Sequence, residues 1–173
     1  EKGIRDAKAL GNRLADTTID KVYSSSSKRA YETAQYIIGD REISLIQMDD
    51  LREMNFGDWD GRIREEVEAE YPEDFKTFWE KPHLYDRNSG ETFEHVRKRA
   101  VQAFERIIEE NKEGTILIVT HSIFLRVLMT YIKDIPLSDV FKATPPGNTS
   151  LAKVEVENGQ LNLIFENDMQ HVE

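Results

Sequence analysis

The chain has 173 residues, enough for one domain with a single sizeable core, and its 39% hydrophobic and 32% charged content is that of a globular protein. A formal net charge of −10, from 23 basic and 33 acidic residues, argues against a nucleic-acid partner, which demands a basic face to neutralise phosphates. The absence of cysteine excludes disulfides, zinc–thiolate centres and thiol nucleophiles, and no apolar run reaches membrane-spanning length, so a cytoplasmic protein without a membrane partner is expected.

In chain order, residues 4–16 are predicted as a helix, with Ile4, Ala7, Leu10 and Leu14 on one face, followed by a short strand over 19–24 that ends in serines. Residues 28–38 form the next helix, whose inner stripe is Ala30, Ala34, Ile37 and Ile38 and which Gly39-Asp40 stops. A β-branched strand over 43–47 precedes a glycine-punctuated loop over 51–61. Two shorter helices, 62–70 and 73–80, are separated by Pro72. After an irregular stretch at 81–90, residues 92–111 make the longest helix, carrying Phe93, Val96, Ala100, Phe104, Ile107 and Ile108 at helical spacing. An apolar strand over 115–120 then runs into a helix over 123–132. The chain closes with a hairpin, 150–157 and 160–166, turned at Asn158-Gly159. No repeat or linker divides this alternation. The expected fold is α/β: a single three-layer α/β/α sandwich over 1–173 with a mixed, mostly parallel sheet.

Three segments carry candidate chemistry. His121 stands where a strand gives way to a helix, at the carboxyl edge where α/β sheets place ligands, and the helix that follows offers free backbone N–H groups to an anion. Its alternative is a satisfied, half-buried histidine. The run from Tyr23 to Arg29 ends one strand and begins a helix, setting hydroxyls beside a guanidinium whose fork matches phosphate oxygens. A cation in a first helical turn opposes the helix dipole by roughly half a kcal/mol unless an anion joins it. The alternative there is a serine-capped helix with a solvated Lys28-Arg29 pair. In the loop, Glu53 lies among Leu51, Met54 and Phe56, a setting that desolvates a carboxylate and suits a general acid. Asp58 and Asp60 compete for that role, and a solvated loop carboxylate is the plain alternative. His83, His95 and His171 have no partner at metal-ligand spacing, so neither a metal nor a cofactor is expected.

The run Ser24-Ser25-Ser26-Ser27-Lys28-Arg29-Ala30-Tyr31-Glu32-Thr33-Ala34 resembles the Ser-x-x-x-Arg-Ala-x-x-Thr-Ala pattern of the histidine phosphatase superfamily, the phosphoglycerate mutase-like proteins. Leu51-Arg52-Glu53, followed by Gly57-Asp58-Trp59-Asp60-Gly61, is similar to that family's acid loop. Gly90-Glu91-Thr92, Val119-Thr120-His121 and Asn148-Thr149-Ser150 follow in the family's order, so the resemblance covers the whole chain. The segment between Gly61 and Gly90 is short where true mutases carry a longer insertion, which makes the chain look most like the broad-specificity phosphatases. Its Phe75, Phe78, Trp79, Pro82, His83, Leu84 and Tyr85 line either a pocket for apolar esters or an ordinary core.

The resemblance implies a phosphoglycerate mutase-like fold and a metal-independent phosphatase that hydrolyses small-molecule phosphomonoesters through a phosphohistidine. Arg29 would bind the phosphoryl oxygens, and His121 would donate to them and stabilise the transition-state charge. Glu53 would protonate the leaving oxygen before activating water. Ser122 stands where the family commonly has glycine and would add a hydroxyl donor to the phosphate. A phosphoglycerate mutase and a non-catalytic phospholigand-binding module are the alternative readings. The family's Arg-His-Gly motif, which supplies the nucleophilic histidine on a first strand, does not occur in these residues. The chain is therefore expected to be a domain lacking its first strand and catalytic loop, inactive by itself and prone to association through exposed strand edges.

Overall fold

The computed structural model describes residues 1–172. In chain order the elements are α1 (Lys2–Arg13), β1 (Lys21–Ser25), α2 (Lys28–Ile38) and β2 (Ser44–Met48), then α3 (Arg64–Glu70), α4 (Pro72–Glu80) and α5 (Phe93–Glu110). The strand β3 (Ile116–Val119), the helix α6 (Ser122–Ile132) and the strands β4 (Leu151–Glu157) and β5 (Gln160–Asp168) complete the fold. Helices connect the first three strands, and a helical crossover returns a strand in the same direction as its neighbour. These strands accordingly form a parallel sheet in the order β2-β1-β3.

Successive side chains on a strand point to opposite faces, and the two faces of this sheet bury different helices. On one face Ala7, Leu10, Ala34 and Ile37 of α1 and α2 close against Val22, Leu117 and Val119. On the other, Phe104, Ile107, Phe124 and Val127 of α5 and α6 meet Tyr23, Ile116 and Ile118. The three layers of the expected α/β/α sandwich are thus present, around a mostly parallel central sheet.

The antiparallel strands do not join that sheet. β4 and β5 form a separate two-stranded sheet, turned at Asn158 and Gly159, both at positive φ as a type I′ hairpin requires. Arg13, at the end of α1, donates to both carboxylate oxygens of Asp168 at 2.9 and 2.6 Å and ties the hairpin to the helical layer. Among the described residues no strand pairs with the edge of β3 that faces away from β1. Ile116 to Val119 are only half-buried, although an unbroken apolar run is the pattern of a strand covered on both sides.

Element boundaries shift by a few residues from those expected. Pro72, expected between two helices, is instead the first residue of α4, where its missing N–H leaves no hydrogen bond unmade. Asp49–Leu51 and Gly57–Trp59 are 3₁₀ turns that shape the loop after β2. The cover formed by α3, α4 and the turn Pro82–Leu84 is core rather than open pocket wall. Phe78 lies against the rings of Phe56, Trp59, Tyr85, Phe93 and Phe141, with Tyr85 edge-on at 5.0 Å. Of the cover residues named from the sequence, His83 and Leu84 are exposed. No helix among the described residues is long and apolar enough to cross a membrane.

Gly11 lets α1 and α2 approach closely, because a Cβ there would lie 2.7 Å from the carbonyl oxygen of Ile37. Alanine normally stabilises a helix interior relative to glycine by about 1 kcal/mol. Here Gly11→Ala is expected to destabilise instead, by about 1–3 kcal/mol, as the helices are forced apart. Denaturant unfolding of the two proteins checks the sign.

Candidate active site

Parallel neighbours end at the same edge of a sheet, so the segments that leave β1, β2 and β3 emerge side by side. The β1–α2 junction carries Ser25, Ser27 and Arg29, the loop after β2 carries Glu53, and the β3–α6 junction carries His121. The pairing of Ser24 with Val119 and of Ser25 with Met48 brings the three together. Residues separated by more than ninety positions in sequence meet for this reason.

His121 is buried at the N-cap of α6 with extended backbone, φ −124° and ψ 166°. The guanidinium of Arg29 donates to its Nδ1, from Nε at 3.3 Å and from Nη2 at 3.1 Å. An arginine carries only donors, so Nδ1 is the acceptor nitrogen and the ring proton resides on Nε2. Nε2 faces the hydroxyls of Ser25 at 2.8 Å and Ser27 at 3.2 Å. The Ser27 N–H donates to Ser25 Oγ at 3.2 Å, which fixes the acceptor face of that serine. Burial pushes the His121 pKa down to about 4, and the cations Arg29, Arg52 and Arg99 push in the same direction. The ring is neutral and presents a donor.

Glu53 does not sit in the purely apolar setting that Leu51, Met54 and Phe56 suggest. Leu51 and Met54 are buried in the core, while the half-buried Glu53 turns its carboxylate to the start of α6. Oε1 accepts from the N–H groups of Phe124 at 2.9 Å and Met54 at 2.9 Å, and Oε2 accepts from Ile123 at 3.1 Å. The first N–H groups of a helix lack intrahelical partners, and a negative charge at that end complements the helix dipole. Thr120 adds a second tie by donating from Oγ1 to the carbonyl of Leu51 at 2.7 Å. Glu53 therefore stands on the same helix terminus that begins at His121.

The loop that carries Glu53 is laced to the segment before α5. Glu91 N–H donates to the Asn55 carbonyl at 2.7 Å, and the Asn55 N–H donates to Glu91 Oε2 at 2.8 Å. Gly90, at φ +76°, makes this approach possible, since a Cβ there would lie 2.4 Å from the Asn55 carbonyl oxygen. Arg99 on α5 forks onto both oxygens of Glu91 at 2.8 and 2.9 Å. Burial alone would raise the Glu91 carboxyl, but Arg99 and the Asn55 N–H outweigh it and hold the group below the usual range.

Other candidates fall elsewhere. Asp58 is engaged by Arg87 at 2.5 Å and by the Ser89 hydroxyl at 3.2 Å, and the Arg87 hydrogen bond holds its carboxyl low. Asp60 is exposed, and Ser122 is exposed at the first position of α6. His95 forms a reciprocal cap with Thr92 at the start of α5. Sequence reasoning named the hydroxyls of the β1–α2 junction only collectively, and it missed Arg99. The strand alternation in Ser24-Ser25 is the signal for the first, since Ser25 shares the face of Tyr23 toward α6. Arg99 gives no such signal.

Among the described residues no group of three or more His, Cys, Asp and Glu side chains is placed to hold a metal ion. The family model of the histidine phosphatase superfamily (branch 1) matches residues 1–169. The chain is 32% identical over 138 residues to phosphoserine phosphatase 1 of Hydrogenobacter thermophilus, covering 80% of this chain and 65% of that protein. It is 29% identical over 142 residues to the 2,3-bisphosphoglycerate-dependent phosphoglycerate mutase of Bartonella tribocorum, covering 78% and 69%. The chain thus spans about two thirds of the length of these curated relatives. The solved structure of Bacillus stearothermophilus YhfR superposes with a TM-score of 0.97 at 39% identity, covering 100% of this chain and 86% of that one. An arginine and a histidine joined at the carboxyl edge of a parallel sheet, with this family's motifs in order along the chain, have one common explanation: the chain belongs to the histidine phosphatase superfamily.

Proposed function

We propose that this chain is the phosphate-binding and proton-transferring part of a metal-independent phosphatase acting on small-molecule phosphomonoesters through a phosphohistidine. The observation that carries the reading is the pairing of Arg29 with a neutral His121 beside Glu53. A phosphoryl group at this edge is offered the guanidinium of Arg29 on the Nδ1 side of the ring and, on the other side, the Nε2–H of His121 with the hydroxyls of Ser25 and Ser27. Ser122, exposed at the head of α6, adds a hydroxyl at the mouth. No metal is needed where fixed donors already match the developing charge.

The nucleophile is a second histidine, on a strand that runs along the open edge of β3, and these residues do not supply it. Its imidazole attacks phosphorus while the bond from phosphorus to the leaving oxygen breaks, and protonated Glu53 gives that oxygen its proton. Glu53 then takes a proton from the water that attacks the phosphohistidine, releasing phosphate and restoring the free imidazole. Oε2 is the oxygen suited to this exchange, because it holds one N–H donor where Oε1 holds two. The short cover and the likeness to a phosphoserine phosphatase favour transfer to water over transfer back to a phosphoglycerate.

The full natural protein is expected to release phosphate from phosphomonoesters in the presence of a chelator, with an acid-labile phosphoenzyme on the way. Arg29→Ala should lower kcat/KM by about tenfold to a hundredfold, the range for losing charge-assisted hydrogen bonds. Full activity in residues 1–173 by themselves, or exchange between 2- and 3-phosphoglycerate faster than phosphate release, overturns the reading.

His121 also predicts a pH dependence of stability. Its folded pKa of about 4 lies below the ordinary 6.5, so between these values the unfolded chain binds a proton that the folded chain refuses. Stability from this residue is complete above about pH 6.5 and falls as the pH drops toward 4, by up to about 3 kcal/mol. Denaturant titrations of the wild type and His121→Gln across this window should show a shallower slope in the variant, which keeps only what His171 and the carboxylates contribute.

A further inference from the structure

Glu53 is held from its side chain by α6, but a carboxylate is only as well placed as the backbone that carries it. That backbone lies in a loop without regular hydrogen bonding of its own, between the 3₁₀ turns Asp49–Leu51 and Gly57–Trp59. Arg99 reaches it from the polar side of α5. Its Nη1 donates to the carbonyls of Asp50 at 2.9 Å and Arg52 at 2.7 Å, and its Nη2 to the carbonyl of Glu53 itself at 3.2 Å. The same guanidinium lies 5.4 Å above the ring of Phe124, whose N–H binds Glu53.

Glu91 completes the arrangement on the other side. Its two oxygens orient the guanidinium through Nε and Nη2, and one of them also accepts the N–H of Asn55. Residues 50–53 are thereby fixed by Arg99 and residue 55 by Glu91, with Glu53 between the two attachments. The side chains of the pair are about four-fifths buried, at 20% and 22% exposure. An ion pair that served only to join α5 to the loop would need one contact. This one spends every nitrogen of the guanidinium on the backbone around the acid or on the carboxylate that orients it.

We propose that Glu91 and Arg99 are positioning residues that hold Glu53 on the first amides of α6 and so set the delivery of its proton to the leaving oxygen. The inference rests on Glu53 being the proton donor. Lysine cannot replace Arg99, because a single ammonium cannot keep the planar fork that serves Glu91 and three carbonyls together. Glutamine at Glu91 keeps the acceptor for Asn55 but loses the charge that orients Arg99.

The test uses the full natural protein with two esters, p-nitrophenyl phosphate, whose leaving group departs without a proton, and glycerol phosphate, whose alkoxide needs one. Arg99→Lys and Glu91→Gln are each expected to lower kcat/KM for glycerol phosphate, which reads the step in which the leaving oxygen departs and not the later attack of water, by about tenfold or more, while kcat/KM for the nitrophenyl ester changes by under about threefold. Amide exchange at Ile123 and Phe124 should quicken relative to that at Ile107, a readout that needs no turnover. Equal loss on both esters with these amides unchanged overturns the inference. Glu53→Gln, measured in parallel, separates the two ideas. If it shows the same ester selectivity and the other variants do not, positioning alone fails; if it shows none, the general-acid reading fails and takes the positioning with it.

Discussion

The carboxylate of Glu53 on the first amides of α6 is the contact through which the rest of the site is assembled. It answers a local need, since a helix start leaves N–H groups unpaired and favours negative charge. It also joins two loops that the chain separates by 70 residues, one leaving β2 and one leaving β3. Through those loops it reaches further. The cover is fastened to the Glu53 loop where Gly57 and Gly90 bring two backbones into contact, and α5 is fastened to it through Arg99. The acid and the histidine are thus registered on one helix terminus and not each on an independent loop.

The charge arrangement follows from the same geometry. His121 is buried among Arg29, Arg52 and Arg99, and every one of these disfavours a second positive charge on the ring. A neutral donor beside a fixed guanidinium suits an anion, because the ring gives a hydrogen bond without first losing hydration as an ion. The chain as a whole carries a formal charge of −10, so this positive patch is local. Screening over about 8 Å at physiological ionic strength leaves an approaching anion to feel the patch and not the sum.

Much of this could be read from the sequence, and the failures share a cause. Helical spacing places α1, α2 and α5 to within a few residues, and an arginine in the first turn of α2 and a histidine at a strand end are each legible as candidates, while the parallel pairing that joins them is seen only in the fold. Leu51, Met54 and Phe56 neighbour Glu53 in the chain and suggest an apolar setting, whereas its carboxylate is held by the N–H groups of Met54, Ile123 and Phe124, two of them distant in sequence. Ser122 follows His121 in the chain, yet the hydroxyls facing that ring belong to Ser25 at the end of β1 and Ser27 at the N-cap of α2. Arg99 lies on the polar face of an amphipathic helix, where local pattern predicts only solvent. The separation of β4 and β5 from the parallel sheet is a matter of edges, which alternation along one strand does not encode.

Both tryptophans of the chain, Trp59 and Trp79, belong to the aromatic cover. Trp59 lies 5.5 Å from the ring of Tyr85 with the Arg87 guanidinium 4.6 Å above it, and Trp79 lies 4.6 Å from Phe141. None of the indoles touches the layer in which α1 and α2 close over Val22 and Val119. Tryptophan fluorescence, excited where the tyrosines do not absorb, is consequently a local gauge that reports the cover and is blind to the opposite side of the sheet, where Tyr36 lies. Circular dichroism, which averages over every helix, sees both, so any disagreement between the two signals measures how independently the layers come apart.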